Sequence, residues 1–302
     1  MAEYTPITLP PSPAPRWRDY YELTKPRVVL LLAFTALVGS FLASPGLPPL
    51  QPLIFGFIGI CLAAASAAAV NHVIDQHIDS EMARTRRRPL PTGSLGDTQA
   101  LVFALCLGTG SMVILVFLVN TLTALLTFAS LIGYAIVYTS WLKRATVQNI
   151  VIGGAAGAAP PMLGWVAVTN AVEPGALMLF LIIFVWTPPH FWALAIARRD
   201  EYAKVGIPMM PVIYGIPMTR LHILLYTILL TAVTLLPWLM VMSGLIYLLS
   251  ALALDAIFLS YAWKLYRNPQ PNLPMRVFRW SINYLGLLFA ALLIDHYWMI
   301  PV

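Results

Sequence analysis

Charge is what this sequence has least of. Only 10% of its 302 residues are Asp, Glu, Lys or Arg, against roughly 25% in a soluble domain. A chain this long could not cover a water-facing surface with so few charges, which excludes a soluble globular protein. Cysteine is almost absent as well. Cys61 and Cys106 both sit inside apolar runs, so a disulfide framework and a thiolate metal site are excluded, and both read as small buried hydrophobes. The first fifteen residues lack an early basic cluster and an apolar core; they carry Glu3 and five prolines instead. That is neither a signal peptide nor a transit peptide. Residues 1–26 are therefore expected to be a flexible cytoplasmic arm, and a bacterial inner (plasma) membrane is the expected location.

What is present is apolar sequence in span-sized blocks. A membrane span needs ~20 mostly apolar residues, and nine such blocks can be drawn in residues 27–302, taken as a single transmembrane domain. They run approximately Arg27–Ser44, Pro52–His72, Ala100–Val119, Leu122–Trp141, Val147–Thr169, Gly175–Ala197, Leu221–Met242, Gly244–Lys264 and Val277–Ile300. The expected fold is an all-α membrane protein of nine transmembrane helices, with tight antiparallel hairpins at Asn120 and Ser243. Nine spans place all 18 Lys and Arg residues on one side, leaving Glu173 and Asp295 on the other. The positive-inside rule makes that side, and with it the N-terminus, cytoplasmic. A net charge of +6 does not indicate a nucleic acid here, because the cations punctuate apolar runs instead of lining one soluble face. The lipid bilayer is the expected partner.

Chemistry concentrates on the basic side. Asn71, Asp75 and Asp79 follow one another at intervals of four, so on a helix they stack on one face with neighbours ~5–6 Å apart. Two carboxylates there repel unless a cation lies between them. Mg²⁺ suits the role, because it takes oxygen ligands and lets substrate phosphates complete its shell. Arg84 and Arg86–Arg88 follow at once, which suits a phosphorylated substrate. A second acidic pair, Asp200–Glu201, lies beside Arg198, Arg199 and Lys204 on the same side. Two such segments suggest a dinuclear Mg²⁺ diphosphate site of Asn71, Asp75, Asp79, Asp200 and Glu201. Arg84, Lys143, Arg144 and Lys204 are the expected diphosphate ligands, and Asn71, Asp75, Asp79 and Lys143 the expected catalytic set.

Four further features admit two readings each. The small residues from Gly153 to Ala159, which run into Pro160–Pro161, are expected to be a close helix-packing face that also leaves room for a bulky flat substrate. Pro188 and Pro189 should kink the sixth span. His190 at that kink, with Trp186 and with Tyr138 of the fourth span, could line a pocket for a planar acceptor, although an intramembrane His is often only a packing residue. Asp255, deep in the eighth span, is costly there as an ion. It reads either as a pocket residue or as a carboxyl bonded to Asn283. The echo between the ends of spans two and six suggests a tandem four-helix duplication.

These residues resemble the UbiA-type intramembrane prenyltransferases. The resemblance rests on Asn71-x-x-x-Asp75-x-x-x-Asp79 and the second acidic loop, and it covers nearly the whole chain beyond Arg18. Five segments resemble the heme-farnesylating members in particular: Leu23–Arg27, Arg87–Gly93, Leu142–Pro161, Trp186–Ala195 and Gly206–Pro211. The resemblance implies Mg²⁺-dependent transfer of farnesyl from farnesyl diphosphate onto a vinyl group of heme B. The product would be heme O, a step toward heme A, with heme A synthase or oxidase assembly proteins as associates. Two motifs depart from the family. Gln76–His77 stands where the family usually has Arg-Asp, and Asp200-Glu201-Tyr202 where it has an acidic residue followed by Asp-Tyr. The competing readings are a prenyltransferase acting on another aromatic acceptor such as a quinone precursor, a transporter, and a heme-handling assembly factor without catalysis. A transporter should carry ionisable residues through the midplane, and the assembly factor would not need the paired Asp segments.

Overall fold

A computed structural model describes residues 16–300 and, within them, contains helices and connecting turns with no strand. The bundle opens with α1 (Trp17–Leu23), α2 (Pro26–Leu42), α3 (Leu50–Glu81), α4 (Asp97–Leu118) and α5 (Thr121–Ile132). The α5 rod continues as a π-helical stretch, Gly133–Leu142, and a last turn, α6 (Lys143–Ala145). The second half holds α7 (Asn149–Thr169), α8 (Pro174–Ala197), α9 (Arg199–Lys204), α10 (Met210–Ile213), α11 (Gly215–Thr234), α12 (Leu236–Leu239), α13 (Leu245–Arg267) and α14 (Leu273–Tyr297). Eight of these rods are long and apolar enough to cross a membrane. The bent pair α1 and α2, at 54° to each other, makes a ninth if it counts as one span.

Two expectations need correction here, a flexible arm and a buried Cys106. The apolar block of the second span ends at His72 and, as the placing of Asp75 and Asp79 on that helix requires, the helix runs on to Glu81. Apolar length measures how much helix lipid can cover, not where the helix stops, and the polar last turns are supported by partners from other segments. The expected flexible arm falls partly outside the described residues. Its described part is not free: Trp17–Leu23 is helical and Leu23 is fully buried in a cluster with Ala69, Leu90 and Leu95. The helix through Pro188 and Pro189 is unbroken from Pro174 to Ala197. Of the cysteines, Cys61 is half-buried and Cys106 exposed, so Cys106 is not the buried hydrophobe expected.

Close glycine contacts join α2 to α7. A Cβ on Gly39 of α2 would stand 2.0 Å from the Pro161 carbonyl oxygen of α7, and one on Gly164 the same distance from that of Ala36. Only glycine permits that approach, and close backbone contact is how helices associate when burial against lipid offers no driving force. Ser40 adds a bond to the Gly164 carbonyl at 3.0 Å. The end of the bundle away from the cations is closed by few polar groups. Asn120 accepts from the Thr123 N–H at 2.8 Å and donates to the Val166 carbonyl at 3.1 Å. Asp295 accepts from the backbone N–H of Gly244 and of Tyr247, capping α13.

Candidate active site

The site forms where four segments meet at the polar end of α3. Asn71, Asp75 and Asp79 are all buried, at 5%, 4% and 5% exposure. Asn71 donates to Asp75 Oδ2 at 2.7 Å and to Thr139 Oγ1 at 3.2 Å. Lys143 Nζ donates to the same Asp75 oxygen at 2.7 Å. Arg88, from the turn after α3, donates to Asp79 Oδ2, and the Thr85 hydroxyl bonds the Asp79 carbonyl at 2.9 Å. Lys25 reaches in from the bend between α1 and α2 to donate to Asn71 Oδ1. Its backbone is left-handed, with φ 50°, a conformation that costs energy for a residue with a Cβ and is held in place by the surrounding packing.

The fourth wall is the π-helical stretch. The Thr139 hydroxyl bonds the Tyr134 carbonyl five residues back at 2.8 Å. Such wider turns recur at functional sites, and here the stretch delivers Thr139 to Asn71 and Lys143 to Asp75. Tyr134 and Tyr138 stack with ring centroids 5.5 Å apart. Tyr138 lies against α7 where only Gly153 fits: a Cβ there would come within 2.2 Å of the ring.

The second acidic segment stands beside this cluster without joining it. Tyr202 is buried and feels the charges of Arg84 and Asp75; burial pushes its phenol above the ordinary range. Glu201 bonds Arg198 at 2.7 Å and keeps Oε2 buried and unpartnered. The Asp200 side chain is 97% exposed, 3.7 Å from Arg199. Among the described residues no three His, Cys, Asp or Glu side chains are placed to share one metal ion. The expected dinuclear arrangement of Asp75, Asp79, Asp200 and Glu201 is therefore not assembled. Each buried carboxylate already has its own cation, and Asp200 points away. The α3 face suits Mg²⁺, since Asn71, Asp75 and Asp79 offer oxygen ligands and Asp75 Oδ1 is buried with no partner. Such a site leaves coordination positions for substrate phosphates.

Of the expected diphosphate ligands, Lys143 is in the cluster, while Arg84, Arg144 and Lys204 are exposed. Lys25 and Arg88 were missed as site residues. The Leu23–Arg27 motif and the Arg86–Arg88 run were visible, but nothing in their spacing says which cation turns inward.

The expected acceptor-pocket residues separate into different surroundings. His190 Nδ1 bonds Ser281 Oγ at 2.7 Å, and its ring stacks between Trp186 and Phe278 at 4.3 and 4.6 Å. Trp186 Nε1 donates to the Ser281 carbonyl at 2.9 Å. Both are buried where α8 packs on α14, as hydrogen-bonded packing residues. Asp255 does not meet Asn283, which is exposed; the next residue, Tyr284, turns inward instead. Asp255 accepts from the Tyr284 hydroxyl and, at 2.8 Å, from Thr234. Asp255→Ala should cost about 1–3 kcal/mol by orphaning two hydroxyls. We expect a lower melting temperature in detergent with KM for both substrates unchanged.

The fold is a membrane-spanning helical bundle with buried carboxylates and cations gathered at one end. The model of the UbiA prenyltransferase family matches residues 32–291, and the chain belongs to that family. It is 61% identical to the protoheme IX farnesyltransferase of Alkalilimnicola ehrlichii over 279 residues, 92% of each chain. It is 60% identical to that of Methylococcus capsulatus over 93% of this chain and 94% of the relative. The fold is similar to that of a digeranylgeranylglyceryl phosphate synthase, with TM-score 0.78 and 18% identity, covering 93% of this chain and 99% of the other. It is also similar to a UbiA homolog from Archaeoglobus fulgidus bound to DMAPP and Mg²⁺, with TM-score 0.63 and 16% identity, covering 91% and 99%.

Proposed function

We propose that this prenyltransferase moves the farnesyl group of farnesyl diphosphate onto a vinyl group of heme B, giving heme O. The reading of the donor end is carried by one observation: three cations from three segments converge on three stacked oxygen side chains of α3. The choice of heme as acceptor is supported by the name of relatives about 60% identical along nine-tenths of the chain.

Lys143, Arg88 and Lys25 bind the diphosphate oxygens and stabilise the charge that grows on them as the C1–O bond breaks. Asn71, Asp75 and Asp79 would hold Mg²⁺, which neutralises further charge on the departing diphosphate. Both electrons of the broken bond leave with the diphosphate, and the allylic carbon becomes cationic. Burial keeps water from that carbon. The vinyl π electrons form the new C–C bond, and the cation left beside the porphyrin ring takes up water and loses a proton, ending as a hydroxyethylfarnesyl group.

We place the chain in a bacterial inner membrane with the site and N-terminus cytoplasmic, on the one-sided Lys and Arg residues. An odd span count then puts the C-terminus outside. Alkaline phosphatase fused after Val302 should be active and green fluorescent protein there dark; the reverse would invert the topology. Heme O made here would feed heme A formation, with heme A synthase or oxidase assembly proteins as associates. The deciding assay combines purified chain, heme B, farnesyl diphosphate and Mg²⁺, read by mass. Farnesylated heme is expected, and its absence while a quinone precursor is prenylated would move the acceptor to that class.

A further inference from the structure

His72 has no role in the farnesyl transfer described above, yet it is the least satisfied polar side chain near the site. It is 1% exposed, and neither ring nitrogen has a hydrogen-bond partner. An imidazole buried in this way gives up its bonds to water for nothing in return, and native interiors rarely leave such groups unpaired. Its position is informative. It stands three residues before Asp75 and seven before Asp79, so it shares their face of α3. Besides the carboxylates of its own face, the charges its ring feels most are those of Lys25, Arg88 and Arg84. These three are cations, which have no lone pair to accept a proton from a neutral imidazole N–H. The partner missing from this corner is an anionic oxygen, which would accept from His72 and be drawn by all three cations.

We infer that His72 is a substrate-binding residue whose N–H donates to a diphosphate oxygen of the prenyl donor. The inference rests on the reading of the α3 cluster as the diphosphate site. The acceptor's carboxylates are the other anionic oxygens a substrate brings, and the test separates the two.

Titration calorimetry in detergent, with Mg²⁺ present and inorganic diphosphate as the probe, would compare wild type, His72→Leu and His72→Gln. KM for donor and acceptor and the melting temperature without ligands would accompany it. His72→Leu is expected to weaken diphosphate binding about tenfold to a hundredfold, the range for one bond to a charged group. Donor KM should rise in parallel, and acceptor KM should stay put. His72→Gln keeps a donor and should recover part of the loss. The melting temperature of His72→Leu should not fall, because an unpaired polar group has been removed from the interior. Unchanged diphosphate affinity in His72→Leu overturns the inference, and so does a rise confined to acceptor KM. If wild type itself fails to bind diphosphate, the reading of the cluster falls and takes this inference with it; equal binding by wild type and variant removes His72 alone.

Discussion

Asp75→Asn is expected to cut farnesyl transfer by about a thousandfold or more. Single groups that stabilise transition-state charge are worth about 10²–10³ in rate, and Asp75 acts on that charge twice. It supplies an anionic oxygen for Mg²⁺, and it positions Lys143, whose ammonium lies 2.7 Å from Oδ2. The substitution keeps the shape and removes only the charge. It also leaves Lys143 without its partner in a nearly buried setting, which costs stability. The melting temperature must therefore be measured with the rate. An Asp75→Asn protein that stays folded at the assay temperature and still makes product at a wild-type rate would remove Asp75 from the chemistry. Asp79→Asn should behave similarly, through its pair with Arg88.

Lys143→Met should produce two effects of opposite sign. The variant loses a charge-assisted bond to the diphosphate, so kcat/KM for the prenyl donor should fall about a hundredfold. Asp75, released from its cation, should meanwhile bind Mg²⁺ alone more tightly than wild type, measured by calorimetry without substrate. A lysine that merely held the helices together would lower stability and leave metal affinity unmoved or weaker. Because the two side chains act as a pair, Asp75→Asn combined with Lys143→Met should be no worse than the poorer single variant, a coupling that distant sites do not show.

Much of the fold could be read before any coordinates. The nine apolar blocks correspond to the rods of the bundle because a span is set by apolar length, a local property. A close-packing face was legible in the small residues from Gly153 onward, which meet Tyr138 and Thr187, but nothing local said that Gly39 of α2 would seat against Pro161. Asn71, Asp75 and Asp79 could be placed on one face from a spacing of four alone.

What escaped notice depends on contacts between distant residues. Lys25 and Asn71 are 46 positions apart and Lys143 and Asp75 are 68, and no local pattern pairs one cation with one oxygen. The left-handed turn at Lys25 and the π-helical stretch at Gly133–Leu142 are backbone states that the packed bundle imposes. The directions of the second acidic segment were not legible, because charge type says nothing of direction: Asp200 turns to solvent and Glu201 to Arg198. His190 and Asp255 show the same limit, since their partners Ser281 and Tyr284 lie on α14, 91 and 29 positions away.

The central claim is that the polar end of α3 holds the diphosphate while its bond to the prenyl chain breaks. The most direct measurement is an experimental structure with Mg²⁺ and a farnesyl thiodiphosphate, whose C–S bond resists ionisation. The account predicts Mg²⁺ on Asn71, Asp75 and Asp79, and diphosphate oxygens on Lys143 and Arg88, with both cations drawn away from their carboxylates. Diphosphate bound elsewhere, with the Lys143–Asp75 and Arg88–Asp79 pairs intact, would contradict it.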